Sequence, residues 1–380
     1  MERNGFTLYI RADGNERIGT GHIMRCLAIA QAIKRQGGNA VFLVAEEALE
    51  PLIGQHGFEA VCLKTQWDDL EQELEGLADL ICQEGIPVLL VDSYYVTPRY
   101  LETLGQYTKL AYIDDLGLCA APVDLLIRYG LCPAPAAHKS RSVLCGAPAA
   151  LKSRSALCGA PADFKSRSVQ YPAGKTDRSC PGLLEGCRYV PLQSQFSAVP
   201  RRETAGQAAR ILVLTGGTDP FHAALGIAEY AASAEKYRGL VFDIVCGRYN
   251  PDYERLRELA MENQQIAVHR NVTDMAGRMQ EADIAITAGG TTVYELCACG
   301  TPSVCYVMAD NQMPNARALA REGLMLYGGD VRQGHWQEEV FVRLDRLLAD
   351  AGLRKEMAAG MQRLVDGKGA DRIARALWRL

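Results

Sequence analysis

Alternating apolar and polar runs along the first half of the chain predict strands that are separated by helices. Short apolar runs bounded by polar or glycine residues are typical of strands buried in a parallel sheet. Such runs occur at residues 8–11, 41–44, 88–91 and 110–113. Apolar residues recur at helical spacing from His22 to Gln36, and Gly37-Gly38 ends that pattern. Strands joined by helices form right-handed βαβ units, so the pattern predicts an α/β fold with an open parallel sheet.

The second half repeats this pattern and predicts a second domain of the same kind. Strands are expected at 211–214, 242–245, 284–286 and 304–307, with helices after the glycine turn at 216 and after Pro251, Asp274 and Thr292. Residues 353–380 have the periodicity of one amphipathic helix. The polar stretch 197–207, which contains Pro200, marks the boundary. We therefore predict domains at 1–196 and 208–380, and the 380 residues suffice for two cores.

A tandem repeat interrupts the first domain. The sequences LCPAPAA, LCGAPAA and LCGAPAD begin at residues 131, 144 and 157, and each is followed after one residue by Lys-Ser-Arg-Ser. Small units that contain proline bury little apolar surface. We interpret 131–182 as a duplication that forms a flexible surface insertion. A basic docking loop and a small packed repeat are the alternatives.

Composition excludes several classes of function. The net charge of −4 gives no reason to expect a nucleic-acid partner. No apolar run approaches about 18 residues, and the first residues lack the apolar segment of a signal peptide, so we expect a cytoplasmic protein without a membrane span. The 13 scattered cysteines have neither the spacing of a metal site nor that of a disulfide framework. We expect no bound metal.

The first candidate site is the glycine turn that joins the first strand to the first helix. Gly19 and Gly21 allow the backbone to approach a ligand, and the helix start offers unpaired N–H groups. His22 lies at this helix start, where it is suited to act as a base or, alternatively, to cap the turn. Arg25, one helical turn later, faces either a substrate or a carboxylate such as Asp13.

The second candidate site is the turn after the strand at 284–286. Its glycines, amides and hydroxyls are suited to hold a diphosphate, and Glu295 offers two acceptors for the hydroxyls of a ribose. The alternative is a capping box formed by Thr292 and Glu295. The residues of this candidate site are Ala288, Gly289, Gly290, Thr291, Thr292 and Glu295.

Further polar groups follow other predicted strands. Gly216, Gly217 and Thr218 follow the strand at 211–214, and Asp219 before Pro220 is expected to cap a helix that starts there. Polar residues at the carboxyl ends of parallel strands are where ligands bind, although an ordinary turn explains each of them as well. They are Tyr94, Asp114, Asp115, Asp310, Asn311 and Gln312.

Taken together, these segments resemble a known enzyme family. The sequences RADGNERIGTGHIMRCL (11–27), VDSY (91–94), YIDD (112–115), GGTDP (216–220), NVTDMAGRMQEADIAITAGGTTVYE (271–295) and ADNQ (309–312) are similar to those of the UDP-2,4-diacetamido-2,4,6-trideoxy-β-L-altropyranose hydrolases of pseudaminic acid synthesis. That family is similar in fold to the MurG-type glycosyltransferases. The resemblance implies a GT-B-like α/β fold, with two Rossmann-like domains facing a cleft.

The resemblance also implies a reaction. Water attacks the anomeric carbon of a UDP-linked sugar and UDP leaves with inversion, which requires no cofactor. By resemblance, His22 matches the general base, Tyr94 and Asn311 match residues that line the sugar pocket, and the UDP site is matched by Gly289, Gly290, Thr291, Thr292 and Glu295. From their positions in the same turns, we also assign Gly19, Gly21, Arg25 and Gln312 to the substrate and Gly216, Gly217, Thr218 and Ala288 to the nucleotide. The alternatives are a GT-B glycosyltransferase and a UDP-sugar-binding protein whose catalysis the insertion impairs. The partner in each case is a small-molecule UDP-sugar, and the oligomeric state is left open.

Overall fold

A computed structural model describes residues 5–115, 122–131 and 182–380. All but the first residue and the last of the predicted insertion at 131–182 lie outside the described residues, so its interpretation stays a prediction. The chain divides into two compact units. Unit 1 comprises Met1–Ser194 together with Lys368–Leu380, and unit 2 comprises Gln195–Gly367.

Unit 1 is built on one parallel sheet with helices between its strands. Its sheet has the order β3-β2-β1-β4-β5-β6-β7, and every neighbouring pair is parallel. Its elements are β1 (Thr7–Ala12), α1 (Gly21–Arg35), β2 (Asn39–Val44), α2 (Glu50–Gln55), β3 (Glu59–Cys62), α3 (Leu74–Glu84), β4 (Val88–Asp92), α4 (Pro98–Leu104), β5 (Lys109–Ile113), β6 (Leu125–Arg128) and β7 (Gly182–Glu185).

Unit 2 repeats the architecture, with the order β10-β9-β8-β11-β12-β13 and parallel pairing throughout. The elements are β8 (Arg210–Leu214), α5 (Ala223–Ser233), β9 (Val241–Cys246), α6 (Tyr253–Glu262), β10 (Ile266–Arg270), α7 (Met275–Glu281), β11 (Ile284–Ala288), α8 (Thr292–Cys299), β12 (Ser303–Val307), α9 (Met313–Arg321), β13 (Leu326–Asp330), α10 (Trp336–Ala349) and α11 (Ala351–Leu364). In the part of the chain that the structure describes, no helix combines the length and the apolar character needed to cross a bilayer. Both sheets confirm the predicted α/β class with two Rossmann-like domains.

Burial explains why the central strands form where the apolar runs predicted them. Every residue of β4 is buried, and Leu89 and Leu90 have no exposed surface. A strand that is buried on both faces of a parallel sheet is apolar along most of its length, as β4 is before Asp92, and a fully buried leucine contributes about 1.5–3 kcal/mol to folding. On α1, Ile23, Leu27 and Ala30 are fully buried, as the helical spacing predicted.

Each sheet contains a topological switch point, where consecutive connections lead to opposite edges of the sheet. The first switch point lies between β1 and β4, with Ala12 paired in register with Asp92. The second lies between β8 and β11, with Leu214 paired with Thr287. Loops after the carboxyl ends of these strands diverge and leave a crevice where ligands bind in this fold class. The predicted glycine turns follow β1, β8 and β11, so the topology places them at the two switch points.

The single helix predicted over 353–380 is wrong. The structure has α11 and then a separate helix, α12 (Gly369–Leu377). The break occurs because Val365 is extended and Gly367 has a left-handed backbone with φ of +69°. The helix α12 packs on α1 of unit 1, where Arg35 forms a 2.6 Å ion pair with Asp371. The predicted domain 208–380 therefore includes residues that fold with unit 1.

Several strands were not predicted from the sequence. β3 is short and half-exposed, so its apolar signal is weak. β13 contains Gly328 and Gly329, a composition that argues against a strand. β6 and β7 flank the repeat and pair with each other, although β6 ends at Arg128 and β7 begins only at Gly182. β10 was the remaining omission, with intermediate burial along most of its length.

Candidate active site

At the first switch point, the structure brings together a histidine and a carboxylate from two adjacent strand ends. His22 is the second residue of α1, and its Nδ1 lies 2.8 Å from Oδ1 of Asp92, the last residue of β4. Both side chains are buried. His22 Nε2 has no hydrogen-bond partner among the residues that the structure describes. The pair therefore leaves one ring nitrogen available for chemistry.

The alternative that His22 caps the glycine turn is wrong. Thr20 is the N-cap residue of α1, and no side chain caps this helix start. The turn is instead closed by backbone bonds, because Gly19 N donates to Asn15 O at 2.8 Å and Asn15 N donates to Gly19 O at 3.2 Å. Gly19 has a left-handed φ of +73°, and Gly21 begins the helix. These contacts fix the direction in which α1 starts and so place His22.

Arg25 binds carboxylates, but not the one proposed from the sequence. Its Nε donates to Asp92 Oδ2 at 2.6 Å, and one of its terminal nitrogens donates to Asp115 Oδ2 at 2.5 Å. A further short contact joins it to the Tyr129 hydroxyl. Asp13 is instead taken by Arg11, which lies 2.5 Å away. Because Arg25 is 5% exposed, we interpret it as a support for these carboxylates.

The electrostatics of this cluster favour an ionised Asp92. Burial raises the pKa of the Asp92 carboxyl, but the Arg25 guanidinium and the His22 imidazole together hold that pKa well below its usual range. An ionised Asp92 is acceptor-only, so it favours the imidazole tautomer whose Nδ1–H donates to it. That tautomer leaves the lone pair on His22 Nε2, which is the form that accepts a proton.

Tyr94 completes the surroundings of the imidazole. Its ring meets the His22 ring edge-on, with centroids 4.5 Å apart and planes at 78°. Its hydroxyl donates to Asp115 Oδ2 at 3.2 Å, and burial, followed by the charge of Asp115, raises the pKa of the Tyr94 phenol. Asp115 Oδ1 is buried without a hydrogen-bond partner among the described residues. The neighbouring Asp114 pairs with Arg128 at 2.9 Å and stays outside this cluster.

At the second switch point, the loop after β8 is held by its neighbour after β9. Gly216 has a left-handed φ of +83°, Tyr249 N donates to Gly217 O at 3.0 Å, and Thr218 bridges to Tyr249. The Thr215 hydroxyl, which directly precedes the loop, is buried and lacks a hydrogen-bond partner within the described part of the chain. The loop is therefore fixed by backbone contacts.

The helix after this loop begins later than predicted. The sequence placed its start at Pro220, whereas α5 begins at Ala223. Asp219 nevertheless caps it, because its two carboxylate oxygens accept from Ala223 N at 2.9 Å and Ala224 N at 2.8 Å. Asp219 is completely buried, and burial raises the pKa of its carboxyl group.

The predicted capping box at Thr292 and Glu295 is wrong. Thr291 is the N-cap residue of α8, Thr292 is already helical, and no side chain caps this helix. Glu295 has no hydrogen-bond partner among the described residues, and burial raises its pKa to about 7. A Cβ placed on Gly290 would meet no atom within 4 Å, so space lies open beside this turn. An unpaired carboxylate next to open backbone is suited to receive a ligand.

The polar residues after β12 form one tight turn. Asp310–Gln312 is a short 3-10 helix that leads into α9. Gln312 Oε1 accepts from Met308 N at 2.9 Å, which leaves the amide nitrogen of its side chain for another partner. Asn311 lies between two anchored residues, and its side chain is half-buried with no hydrogen-bond partner among the described residues.

The sequence reasoning did not identify Asp92, Asp115 and Tyr129 as members of the His22 cluster. Asp92 was quoted within the segment at 91–94, and Asp115 was identified only as a polar residue at a strand end. A signal was available for Asp92, because a carboxylate that ends the strand beside β1 must lie near the start of α1. Tyr129 follows β6, whose position in the sheet was not predicted.

Comparison with known proteins agrees with this architecture. Residues 211–366 match the model of the Glycosyltransferase family 28 C-terminal domain, which covers most of unit 2. Among solved structures, Acinetobacter baumannii MurG superposes with a TM-score of 0.64 over 98% of this chain and 99% of its own, at 14% sequence identity. At this identity the likeness concerns the fold, and it supports the predicted GT-B class.

Curated relatives match parts of the chain. The spore coat polysaccharide biosynthesis protein SpsG of Bacillus subtilis is 29% identical over 198 residues, which are 51% of this chain and 58% of that protein. The UDP-N-acetylglucosamine--N-acetylmuramyl-(pentapeptide) pyrophosphoryl-undecaprenol N-acetylglucosamine transferase of Pseudomonas fluorescens is 36% identical over 137 residues, or 34% of this chain and 37% of its own. Both matches span less than two thirds of the relative's length. The activity of the whole protein is therefore a matter for proposal.

Proposed function

We propose that this protein is an enzyme that cleaves the anomeric C–O bond of a UDP-linked sugar, with inversion and with His22 as the base. The observation that carries the proposal is the His22–Asp92 pair, whose Nδ1–Oδ1 distance is 2.8 Å and whose outer nitrogen is unpaired among the described residues. A base oriented by a buried carboxylate at the start of a helix is a recurrent catalytic arrangement. The matched domain in unit 2 supports a nucleotide-linked sugar as the substrate.

We assign the nucleotide to the second switch point. The amides of the loops after β8 and β11 would hold the diphosphate, because helix starts and glycine turns present unpaired N–H groups. Glu295 would accept hydrogen bonds from the ribose hydroxyls, which its lack of a protein partner supports. The assignment includes Gly216, Gly217, Thr218, Ala288, Gly289, Gly290, Thr291 and Thr292, which the sequence proposed.

The chemical step then needs few groups. The nucleophile's O–H proton passes to His22 Nε2 as its oxygen bonds to the anomeric carbon, and the C–O bond to the diphosphate breaks with its electron pair remaining on UDP. Asp92 stabilises the imidazolium and keeps the ring in the correct tautomer. Glycoside cleavage ordinarily needs an acid to protonate the leaving oxygen, but a diphosphate leaves without one. General base catalysis of this kind contributes about 10²–10⁴ in rate.

Two nucleophiles are candidates, and different observations favour them. Transfer to a sugar or lipid acceptor is favoured by the relatives, since the matched domain model and the Pseudomonas fluorescens relative carry transferase names. Hydrolysis is favoured by the motif resemblance and by the burial of His22, which is 7% exposed and has Tyr94 against its ring. Water reaches such a base more readily than a bulky acceptor does. The diacetamido-trideoxy sugar as substrate follows from the motif resemblance.

Release of UDP by the purified protein tests the proposal. UDP-2,4-diacetamido-2,4,6-trideoxy-β-L-altropyranose and UDP-N-acetylglucosamine are supplied in buffer, with and without a lipid-linked sugar acceptor. Release without acceptor supports hydrolysis, and release only with acceptor supports transfer. Tight binding with no release in either condition would reject catalysis and favour the third alternative, a UDP-sugar-binding protein. An absence of UDP binding would reject the proposal altogether.

A further inference from the structure

The turn Asp310–Gln312 is anchored from a distant strand end within unit 2. The Arg332 guanidinium lies 2.7 Å from Asp310 Oδ1, and a nitrogen of the same group lies 2.7 Å from Asp330 Oδ2. Arg332 Nε also donates to Asp330 Oδ1 at 2.9 Å. Arg332 thus bridges the last residue of β13 and the first residue of the turn.

An irregularity in the sheet makes this bridge possible. β12 and β13 pair regularly at Cys305 and Tyr327, but Val307 then faces Asp330, so the register shifts by one residue. Gly329 occupies the irregularity with a left-handed φ of +97°, a conformation that a residue with a side chain adopts only under strain. Bulges of this kind redirect a side chain, and they occur beside functional sites. Here the bulge brings Asp330 to the position from which it orients Arg332.

The bridge is built more firmly than a surface ion pair. Asp330 is 5% exposed, and it accepts two side-chain bonds and one backbone bond from Arg332. A bidentate arginine on a buried carboxylate has a fixed direction, unlike an exposed lysine or arginine pair. The guanidinium also contacts Asp310. The next residue, Asn311, makes no hydrogen bond with the described residues.

We propose that Arg332 is a positioning residue, which acts through Asp310 to hold the Asn311 and Gln312 side chains against the sugar of a nucleotide-linked substrate. This inference rests on the proposed function, because it takes the turn as part of the sugar site. The turn is fixed at both ends, by Arg332 on Asp310 and by Met308 N on Gln312. Asn311 is therefore presented to a ligand without having to be ordered by it, which lowers the entropic cost of binding the sugar.

Paired binding measurements test this role, with UDP and UDP-N-acetylglucosamine as the probes for wild type, Arg332→Ala, Asp310→Ala and the double variant. We expect Arg332→Ala to weaken UDP-N-acetylglucosamine binding about tenfold, the loss of roughly one well-made hydrogen bond, while UDP alone binds within twofold of wild type. Asp310→Ala should have a similar effect. The double variant should be no worse than either single variant.

Control variants separate positioning from folding. Among the described residues, the Arg321 side chain on α9 pairs with exposed Glu322 alone, so Arg321→Ala should leave both affinities unchanged. Arg332→Lys keeps the charge but loses the fork, and it should restore affinity only in part. Thermal unfolding of each variant shows whether the fold is intact. An Arg332→Ala variant that is folded and binds UDP-N-acetylglucosamine like wild type overturns the inference.

Other outcomes separate this inference from the proposed function. If Arg332→Ala still weakens sugar-nucleotide binding tenfold in the Asp310→Ala background, Arg332 contacts the ligand directly and the positioning role is wrong. If wild type binds UDP normally and only the Arg332 effect is missing, the proposed function stands and this inference fails. If wild type binds neither probe, the proposed function fails, and the role of Arg332 in it fails as well.

Discussion

The two switch points share one topology but differ in the state of their polar groups. At the first, His22, Arg25, Asp92, Asp115 and Tyr94 contact one another in a closed set of hydrogen bonds and ring contacts. At the second, the loops are held by backbone bonds, and Glu295 has no partner among the described residues. The polar groups of the first site are oriented mainly by one another, which leaves His22 Nε2 and Asp115 Oδ1 without a partner among the described residues, whereas Glu295 of the second site has no such partner at all.

Under the proposed function, this difference assigns two kinds of chemistry to one scaffold. A proton-transferring group needs fixed geometry, which charged neighbours in a buried cluster provide at the cost of desolvating them. A nucleotide site needs open backbone amides and unpaired acceptors, which glycine turns provide. The six strands of unit 2 follow the same order as the first six of the seven strands in unit 1, so under the proposed function the loops and not the sheet distinguish the two sites.

The largest expected effect is at His22. His22→Ala should lower turnover of a UDP-sugar about 10³–10⁴-fold, because the group that accepts the nucleophile's proton is lost. The affinity for UDP should stay within twofold, since the nucleotide is assigned to the second switch point. Initial rates and calorimetric titration measure the two quantities. His56→Ala serves as the control, because the His56 ring is hydrogen-bonded to Gln31 and to no other residue in the part of the chain that the structure describes. Equal turnover in wild type and His22→Ala would show that His22 is not the base, and the first switch point would then have no assigned catalytic role.

Asp92→Asn should have the next largest effect. The amide removes the charge that selects the His22 tautomer, so turnover should fall about 10²–10³-fold, less than in His22→Ala because the imidazole itself is still present. Arg25 would also lose one of its two carboxylates, and the free energy of unfolding should fall by about 3 kcal/mol. Asp114→Asn is the matched control, since Asp114 is equally buried but pairs with Arg128. The assignment fails if the control loses as much turnover as Asp92→Asn does.

At the second switch point, Asp219 tests whether a buried carboxylate serves the fold or the ligand. Asp219→Ala should lower the free energy of unfolding by about 2 kcal/mol, because Ala223 N, Ala224 N and the Asn250 amide lose their acceptor. UDP affinity should change less than threefold. Asp274→Ala, which removes the cap of α7, gives a comparison of about 1 kcal/mol. A large loss of UDP binding in Asp219→Ala with an intact fold would assign Asp219 to the nucleotide.

The smallest expected effect is the pH response of Glu295. Its pKa is raised from 4.5 to about 7 by burial, so the folded protein binds a proton that the unfolded chain has lost between those values. Wild type should therefore lose stability relative to Glu295→Gln as pH rises through that interval, by on the order of 1–2 kcal/mol after allowance for its partial exposure. Chemical denaturation at pH 5 and pH 8 measures the difference.

Binding gives an independent check on Glu295. If the ionised carboxylate accepts the ribose hydroxyls, wild-type affinity for UDP should decrease as pH falls below about 7, whereas Glu295→Gln should respond much less. Parallel pH dependences in the two proteins would mean that Glu295 does not contact the nucleotide. The assignment of the nucleotide to the second switch point would then depend on its glycine turns alone.

Much of the fold followed from periodicity, because buried parallel strands such as β4 and amphipathic helices such as α1 have strong local signals. The strands that were not predicted carry weak or contrary signals. Of the two glycines in β13, Gly329 lies at the bulge with a left-handed backbone, and Gly328 packs closely against Val304 and Val340, so local geometry and not strand propensity explains this composition. The break before α12 depends on the left-handed backbone of Gly367, which one sequence does not reveal.

The candidate site was predicted as a set of positions but not as a set of contacts. The glycine turns and His22 stand out locally, whereas the Asp92 contact joins residues 70 positions apart and requires the strand order. For Arg25, the sequence offered Asp13 as a neighbour along the chain, yet β4 lies beside β1 and supplies Asp92 instead. Glu295 shows the reverse case. The spacing of Thr292 and Glu295 matched the pattern of a capping box, and only the observed start of α8, with Thr291 as its N-cap residue, excludes that capping box.

The return of α12 to unit 1 has a consequence for synthesis. Unit 2 is a continuous stretch, Gln195–Gly367, whereas unit 1 needs both Met1–Ser194 and Lys368–Leu380. On the ribosome, the inserted unit has all of its residues before its host does, because the partner helix of α1 is translated afterwards. The side of α1 that α12 covers therefore has no partner helix while unit 2 is synthesised. Removal of α12 would therefore be a defect of unit 1, although this helix follows unit 2 in the sequence.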